Sequence, residues 1–189
     1  MMLPLATPRT WVVGEVVTAA LMNAEVRDQM NALRNAEEII LKPSDEPLTS
    51  STTMQNDNHL LASLAANALY KLTAHIAVTG SASGDFKMAW TLPSGATAPS
   101  RFCRGPSVST TGSTADSTLT RLSFVSGGHA VQVNYGVFNT SDPAFVEEIL
   151  YIDTAATAGT AQLTWAQNAS SATATTVVAG SFIECRRIG

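Results

Sequence analysis

Charged side chains are scarce in this sequence. They make up 14% of its 189 residues, against roughly 25% in ordinary soluble domains. The formal net charge is −4, and the eleven basic residues are scattered along the chain. Proteins that bind the phosphate backbone of nucleic acids need clustered Lys and Arg. We therefore expect no nucleic-acid partner, and a surface covered largely by uncharged Ser, Thr, Asn and Ala.

Long apolar runs are also absent. No stretch approaches the roughly 18 apolar residues of a membrane-spanning helix. The opening residues, MMLPLATPRT, do not combine a cationic segment with an apolar run, which is the pattern of a secretion signal. We expect no membrane partner and no cleaved signal peptide.

Cysteine is limited to two residues, Cys103 and Cys185, which lie far apart in the sequence. They form no CxxC pair of the kind that binds zinc or carries out redox chemistry. Buried free thiols are the favoured interpretation. A bridge between two paired strands stays open, because separation in sequence does not exclude it.

Motifs of catalysis and cofactor binding are missing as well. The sequence contains no GxSxG nucleophile motif, no phosphate-binding G-x-x-x-x-G-K-[ST] loop and no GxGxxG. Its three histidines, His59, His75 and His129, form no HxH or HExxH arrangement. Glu147 and Glu148 are adjacent, and neighbours on a strand point to opposite faces, so they cannot act as a facing acid and base. We predict a protein that is not an enzyme and has no catalytic, cofactor-binding or metal site.

One amphipathic helix is predicted near the N-terminus, over residues 18–38. Thr18 is a suitable N-cap, and no Pro or Gly interrupts the chain from Ala19 to Glu38. Apolar residues recur every three or four positions and form one narrow stripe, which consists of Ala19, Met22, Val26, Met30 and Leu33. A helix of this length is marginal alone, so its stripe must be covered. The cover is this chain's own sheet, the same helix of sister chains, or a groove on another protein.

An extended arm, residues 1–17, is predicted to precede the helix. Pro4 and Pro8 restrict it, and it carries apolar side chains with little to bury against locally. We expect the arm and the helix to bind a partner through one shared interface. Its predicted residues are Trp11, Val12, Val13, Met22, Val26, Met30 and Leu33.

The remainder of the sequence has the pattern of an all-β domain. After a predicted linker, residues 39–49, short β-favouring runs alternate with turn residues over 50–189. YKLTAHIAV places Leu72, Ala74, Ile76 and Val78 on one face, and FKMAWTL places Phe86, Met88 and Trp90 opposite Lys87 and Thr91. Further candidates are STLTRLSFV, HAVQVNYGVF, AFVEEILYIDT, AQLTWAQ and TTVVAGSFIECRRI, whereas PSGATAPS is predicted as a turn. At least seven strands without intervening helices predict an antiparallel β-sandwich or jelly roll.

The strand AFVEEILYIDT is apolar on both faces. Glu148 shares a face with Val146, Leu150 and Ile152, and Glu147 shares the other with Phe145, Ile149 and Tyr151. Two interpretations fit such a strand: it lies in a subunit interface, or its ends are simply exposed. The sequence alone leaves both interpretations open.

The N-terminal half resembles a known group of proteins. TWVVGEVVTAALMNAEVRDQMNAL is similar to the signature TW..GE.VTA..MN...RD..N.L, which begins many small virion proteins of tailed bacteriophages, especially those of actinobacteria. The following residues resemble the K..DE..TSST.L..D..L and AN..Y.....I.Y......D.K.AWT.P.GA patterns of the same proteins, over roughly residues 8–97. Met54 and NDNH depart from the Leu and the more acidic run of that pattern, which argues against a calcium site. The residues that match the opening signature are Trp11, Gly14, Glu15, Thr18, Ala19, Asn23, Arg27, Asp28, Asn31 and Leu33.

This resemblance implies a structural protein of the virion, since such proteins are minor tail, tail-fibre or head-decoration components and are often trimeric. We expect a homotrimeric capsid decoration or short head-fibre protein on the virion surface, assembled in the cytoplasm of the bacterial host. Its partners would be copies of itself and the major capsid or a tail protein. The alternative is a tail-fibre or minor tail protein that binds a host receptor or glycan. Trp165 and Tyr135, exposed in a groove, would favour that alternative.

Overall fold

The computed structural model describes residues 9–34, 37–108, 119–122 and 128–189. The described residues are mainly β, with 48% in strands and 10% in the helix, and they form two antiparallel sheets preceded by one short helix. The predicted fold class, a mainly β antiparallel β-sandwich or jelly roll behind one N-terminal helix, is confirmed, and the two sheets are consistent with a β-sandwich.

Twelve strands lie in the described residues. They are β1 Glu37–Leu41, β2 Glu46–Leu48, β3 Gln55–Leu64, β4 Leu69–Thr79, β5 Phe86–Thr91, β6 Thr97–Pro106, β7 Leu119–Leu122, β8 Val133–Tyr135, β9 Ala144–Asp153, β10 Gly159–Ala166, β11 Thr175–Val177 and β12 Phe182–Arg187. The larger sheet has the order β1-β12-β4-β9-β6-β7, and β11 joins it by pairing with β4 and β2. The smaller sheet has the order β3-β10-β5-β8.

The core lies between the two sheets and follows the alternation of the sequence. On β4 the four predicted inward residues, Leu72, Ala74, Ile76 and Val78, are fully buried. On β5 the predicted inward residues are buried too, and on β9 the face that carries Glu148 is the buried one. Because side chains alternate across a strand, these assignments fix which residues of each strand face solvent.

The N-terminal helix begins where the sequence predicts. The Thr18 hydroxyl accepts a hydrogen bond from the backbone N–H of Leu21 at 3.3 Å, as an N-cap does. The helix consists of an α segment Ala19–Met22, a π segment Asn23–Arg27 and an α segment Asp28–Arg34.

The predicted end of the helix at Glu38 is wrong. Glu37 and Glu38 belong to β1, which pairs with β12 through a register that sets Ile39 against Glu184. Ile39 and Ile40 are β-branched and favour strands. Because Glu37 and Glu38 lie in a stretch without Pro or Gly, the sequence was compatible with a longer helix. Their strand conformation depends on pairing with β12, which is distant in the sequence.

The predicted linker 39–49 and the domain start at residue 50 are also wrong. The end of β1 and all of β2 lie within 39–49 and pair in the larger sheet, so the β-domain begins at Glu37. PSGATAPS is a turn only in its first half, because β6 begins at Thr97. Residues 1–8 and most of STLTRLSFV lie outside the described residues, as do Ser126 and Gly127, which follow it.

No helix within the described ranges combines the length and the apolar character that crossing a membrane requires.

Met88 and Thr91 on β5 test the assignment of the inward face. Met88 is fully buried, whereas Thr91 is exposed. We predict that Met88→Ala lowers the free energy of unfolding by about 2–5 kcal/mol, because it leaves a cavity in the core. Thr91→Ala, the control on the same strand, should change it by less than about 1 kcal/mol. Urea unfolding followed by circular dichroism measures both, and equal losses would contradict the assignment.

Candidate functional site

The arm that precedes the helix is held by polar contacts. The Arg9 guanidinium lies over the Trp11 ring, 5.0 Å from its centroid, and pairs with the Glu15 carboxylate. The backbone N–H of Arg9 donates a hydrogen bond to Glu25 of the helix at 3.2 Å. Gly14 has φ +84°, which glycine adopts without strain. The arm therefore turns at Gly14 and folds back along the helix.

The apolar side chains of this segment are not buried in a single chain. Among the side chains described over residues 9–31, none is buried. Trp11 is 45% exposed and Met30 is 63% exposed. The side chain of Leu33, also predicted at this interface, lies outside the described side chains. The exposed apolar residues are Trp11, Val12, Val13, Val16, Val17, Met22, Val26 and Met30; we call the segment 9–34 the anchor segment.

The π segment gives the helix a straighter apolar seam. Met22, Val26 and Met30 are spaced by four residues, whereas an α-helix turns once in about 3.6 residues. A four-residue step therefore drifts around a regular α-helix. The wider π turn Asn23–Arg27 offsets this drift. The three side chains, here called the seam, form one exposed stripe.

The outer face of the larger sheet carries exposed aromatic residues. Phe145 on β9 is 71% exposed, and Tyr151 on the same strand is exposed too. An open pocket of about 330 Å³ lies beside Phe145 and is also lined by His75, Arg104 and Glu147. This outward face of β9, for which the sequence left two interpretations, is accessible in a single chain.

A buried carboxylate, Glu148, lies between the sheets. It accepts hydrogen bonds from the Trp90 indole at 2.8 Å and from the Tyr135 hydroxyl at 2.6 Å. Arg101 donates to it twice, at 2.9 and 2.8 Å. Arg101 and Glu148 are both fully buried. The remaining Arg101 N–H groups donate to backbone carbonyls, including that of His129 at 3.2 Å, so the charge pair is satisfied on both sides.

The surroundings of Glu148 shift the pKa values of its neighbours. Burial, and then repulsion from Glu148, raises the pKa of Tyr135 and raises that of Cys103 to about 12. Burial alone lowers the pKa of Arg101, but attraction to Glu148 outweighs this and the net shift is upward. Burial and the charge of Glu38 raise the pKa of Cys185 to about 12. Both cysteines are free and buried, which confirms the interpretation as buried thiols, and neither is a reactive thiolate.

A second buried charged cluster joins the two sheets at one end. Lys42 directly follows β1, Glu46 begins β2, and Asp57 lies on β3 of the smaller sheet. The Lys42 ammonium donates to Glu46 Oε2 at 2.6 Å and to Asp57 Oδ2 at 2.8 Å. His59 Nδ1 lies 3.4 Å from the same nitrogen. We call these four residues the Lys42 cluster.

An irregularity in the smaller sheet builds the Asp57 side of this cluster. β3 pairs with β10 at Asn56 and resumes at Leu61, which opposes Gln162, so the stretch between has no regular ladder. The freed backbone N–H groups of His59 and Leu60 both donate to Asp57 Oδ1 at 2.9 Å. Asp57 is thereby fixed with its second oxygen toward Lys42.

The Lys42 cluster has a donor set that metals use. One ligand atom each from Glu46, Asp57 and His59 lies within 4.8 Å of the others, which makes this the one such group of three among the described residues. The Lys42 ammonium, however, bonds both carboxylates and approaches His59. A metal ion would have to displace this internal cation, so the arrangement favours the lysine over a metal.

The other residues singled out in the sequence do not converge. His75 stacks on Phe182 on the outer face of the larger sheet, 4.7 Å between ring centroids. His129 lies in a short 3-10 helix, Gly128–Ala130, and burial lowers its pKa. Trp165 and Tyr135 are fully buried, so neither lines an exposed groove and the support they would lend to glycan binding is absent.

The Lys42 cluster is the feature that sequence reasoning missed. Lys42 and Glu46 fell in the predicted linker, and Asp57 lay in a polar run that was not predicted as a strand. The available signal was a lysine and an acid four residues apart beside an edge strand. This spacing does not reveal that Lys42 and Glu46 are buried, because their burial depends on packing against β3, which belongs to the other sheet.

Comparisons with known proteins identify no family for the chain. No protein-family model matches the sequence, and no curated protein matches it either. Among solved structures the chain is similar to one from the "Crystal structure of infectious bursal disease virus VP2 subviral particle", with 8% identity and a TM-score of 0.18. The match covers 82% of this chain but 38% of that chain, so this protein spans well under half of its length. A similarity at this score supports no conclusion about function.

Two Arg–Glu pairs between β6 and β9 allow a matched test of the buried cluster. We predict that Arg101→Met lowers the free energy of unfolding by about 3–5 kcal/mol, because it leaves the Glu148 charge buried without its cation. Adding Glu148→Gln should restore part of this loss, since the amide oxygen still accepts from Trp90 and Tyr135. Urea denaturation measures each variant.

The control is Arg104→Met, which removes the partner of Glu147 on the solvent face of the same strands. In that pair Arg104 is exposed and Glu147 is half-buried, with 3.7 Å between Arg104 Nη1 and Glu147 Oε2, and pairs near the surface contribute about 0–1 kcal/mol. If Arg101→Met were no more costly than Arg104→Met, Glu148 would not depend on its buried cation.

Proposed function

We propose that this protein is a non-enzymatic structural component of a bacteriophage virion, a homotrimeric capsid decoration or short head-fibre protein on the particle surface. The anchor segment attaches it, and the β-domain projects outward. The observation that carries the proposal is the exposure of the arm and helix side chains, Trp11 and the seam included. The likeness of residues 8–97 to tailed-phage virion proteins supports the same conclusion.

The anchor segment has more apolar surface than one chain covers. Eight large apolar side chains over residues 11–30 are exposed, in a stretch that also loses about 1–2 kcal/mol of backbone entropy for each residue it orders. Burying a Val or Met side chain stabilises by about 1.5–3 kcal/mol. Contact with other chains therefore supplies the free energy that holds the segment in place.

The seam supports self-association through the helix. Apolar residues at helical spacing pack against like residues of neighbouring helices in bundles and coiled coils. The seam is narrow, and Arg27 and Asp28 beside it form an exposed ion pair. A bundle of identical helices buries such a seam while its charged flanks remain in water.

The alternative function is a tail-fibre or minor tail protein that binds a host receptor or glycan. The pocket beside Phe145 favours it, because an exposed aromatic ring next to Arg104, Glu147 and His75 offers both a stacking surface and polar partners. The same outer face also suits packing between subunits. Particle attachment and glycan binding are separate measurements, and together they distinguish the two functions.

The seam generates a prediction about oligomeric state. We expect the full chain to have the mass of a trimer by light scattering at micromolar concentration. Met22→Gln/Val26→Gln/Met30→Gln together should convert it to a monomer, because each lost contact is worth about 1.5–3 kcal/mol and about 1.4 kcal/mol is tenfold in affinity. Glutamine keeps the helix propensity.

The matched control places three glutamines outside the seam, at exposed positions Ala20, Ala24 and Asn31. This variant should remain a trimer. A monomeric wild-type chain, or a seam variant that stays trimeric, would contradict assembly through the helix.

Attachment to the particle is tested by truncation. Because β1 begins at Glu37, deletion of residues 1–36 should leave a β-domain that gives the same strand signal by circular dichroism. We expect this domain to be missing from virions purified from infected cells, whereas the full chain is incorporated. Truncated protein found on virions would contradict the anchor. Binding of the truncated domain to host cell-wall polysaccharide, lost in Phe145→Ala, would favour the alternative function.

A further inference from the structure

The Lys42 cluster brings an amine, a carboxyl group and a second acid together in a buried place. Lys42 and Asp57 are fully buried, and Glu46 is 8% exposed. The Lys42 nitrogen lies 2.8 Å from Asp57 Oδ2, which places the amine directly beside the Asp57 carboxyl group that it would attack. We propose that Lys42 and Asp57 form an intramolecular isopeptide bond, with Glu46 relaying the protons.

The Asp57 carboxyl group is polarised for attack. Its Oδ1 accepts two backbone N–H groups, from His59 and Leu60, each at 2.9 Å. When the amine adds to Cγ, negative charge develops on this oxygen. Backbone donors about 2.7–3.1 Å from such an oxygen are the arrangement that stabilises it. The irregular stretch of β3 thus provides an oxyanion site before any reaction takes place.

Glu46 is held where proton transfer requires it. Its Oε2 accepts from the Lys42 nitrogen at 2.6 Å and from the backbone N–H of Asn58 at 3.1 Å. Its Oε1 accepts from the Gln55 amide at 3.2 Å. An amine attacks only with its lone pair free, so it must first give up a proton, and Glu46 Oε2 is positioned to take it.

The reaction balances within the cluster. Lys42 begins as an ammonium and Asp57 as a carboxylate. A bond forms between Nζ and Cγ, and the bond between Cγ and Oδ2 breaks. The two protons that leave Nζ pass through Glu46 to Oδ2, which departs as water. No oxidant, reductant or co-reactant is consumed, and Glu46 ends in its initial state.

Burial favours condensation over an ordinary ion pair. Two charges removed from water lose much of their solvation, and pairing does not always compensate for this loss. The amide carries no charge, and the absence of exposed surface at Lys42 and Asp57 keeps bulk water from reversing the reaction. The product joins the end of β1 in the larger sheet to β3 in the smaller one.

Mass spectrometry of the denatured full-length chain tests the proposal. We expect a mass lower by one water molecule than the unlinked chain. Cyanogen bromide cleaves after methionine, and Met54 lies between Lys42 and Asp57, so fragments 31–54 and 55–88 separate unless they are linked. In the linked chain they stay joined, with a mass one water below their sum. Separate fragments at full mass would overturn the proposal.

Three variants test the assigned roles. Lys42→Arg keeps the positive charge but lacks a nucleophilic amine, so its fragments should separate. Glu46→Gln keeps the side-chain shape, and its linkage should slow by about 100-fold or more. His59→Ala, the matched control, keeps the backbone N–H that donates to Asp57 and should link like the wild type. Linkage in Lys42→Arg would overturn the assigned lysine, and wild-type kinetics in Glu46→Gln, or loss of linkage in His59→Ala, would overturn the assigned relay.

Discussion

The carboxylate of Glu148 is the point on which the packing of the two sheets depends. It reaches from β9 to Trp90 and Tyr135 of the smaller sheet and to Arg101 of β6. Apolar burial provides most of the stability, but a buried carboxylate that loses its donors is costly. The Glu148 carboxylate has all of its hydrogen-bond donors only when β5, β6, β8 and β9 pack in this one arrangement. The network thereby restricts which of many apolar packings the chain can adopt.

The β-domain and the anchor segment differ in where their apolar side chains lie. The domain has an apolar core between its two sheets and pairs its buried charges within one chain. The anchor segment exposes Trp11, the seam and the valines of its arm, and its internal contacts are mostly polar, such as that between Arg9 and Glu15. We propose that this segment gains its stability from contacts with other molecules. The proposed attachment and assembly both follow from this difference.

The features that the sequence predicted correctly are those that depend on residues close together in the chain. The alternation on β4 and β5, the two faces of β9 and the cap at Thr18 all follow from short-range periodicity and hydrogen bonding. The end of the helix was wrong because Glu37 and Glu38 pair with β12, almost 150 positions away. The Lys42 cluster was missed for the same reason, since its burial depends on two sheets meeting. The exposure of the anchor segment followed from composition, because its apolar residues lacked local partners.

The position of Lys42 also determines how the molecule responds to mechanical tension. β1 is an edge strand that pairs with β12 alone among the described strands, and it lies next to the helix in the chain. A pull on the helix loads β1 first and peels its five residues, a length of roughly 17 Å at about 3.3 Å per residue. We expect the peeling to stop at Lys42, whose ammonium pairs with Asp57 in the opposite sheet and whose backbone N–H donates to the Ser181 carbonyl. The domain can therefore extend under load by one short strand while its core stays closed.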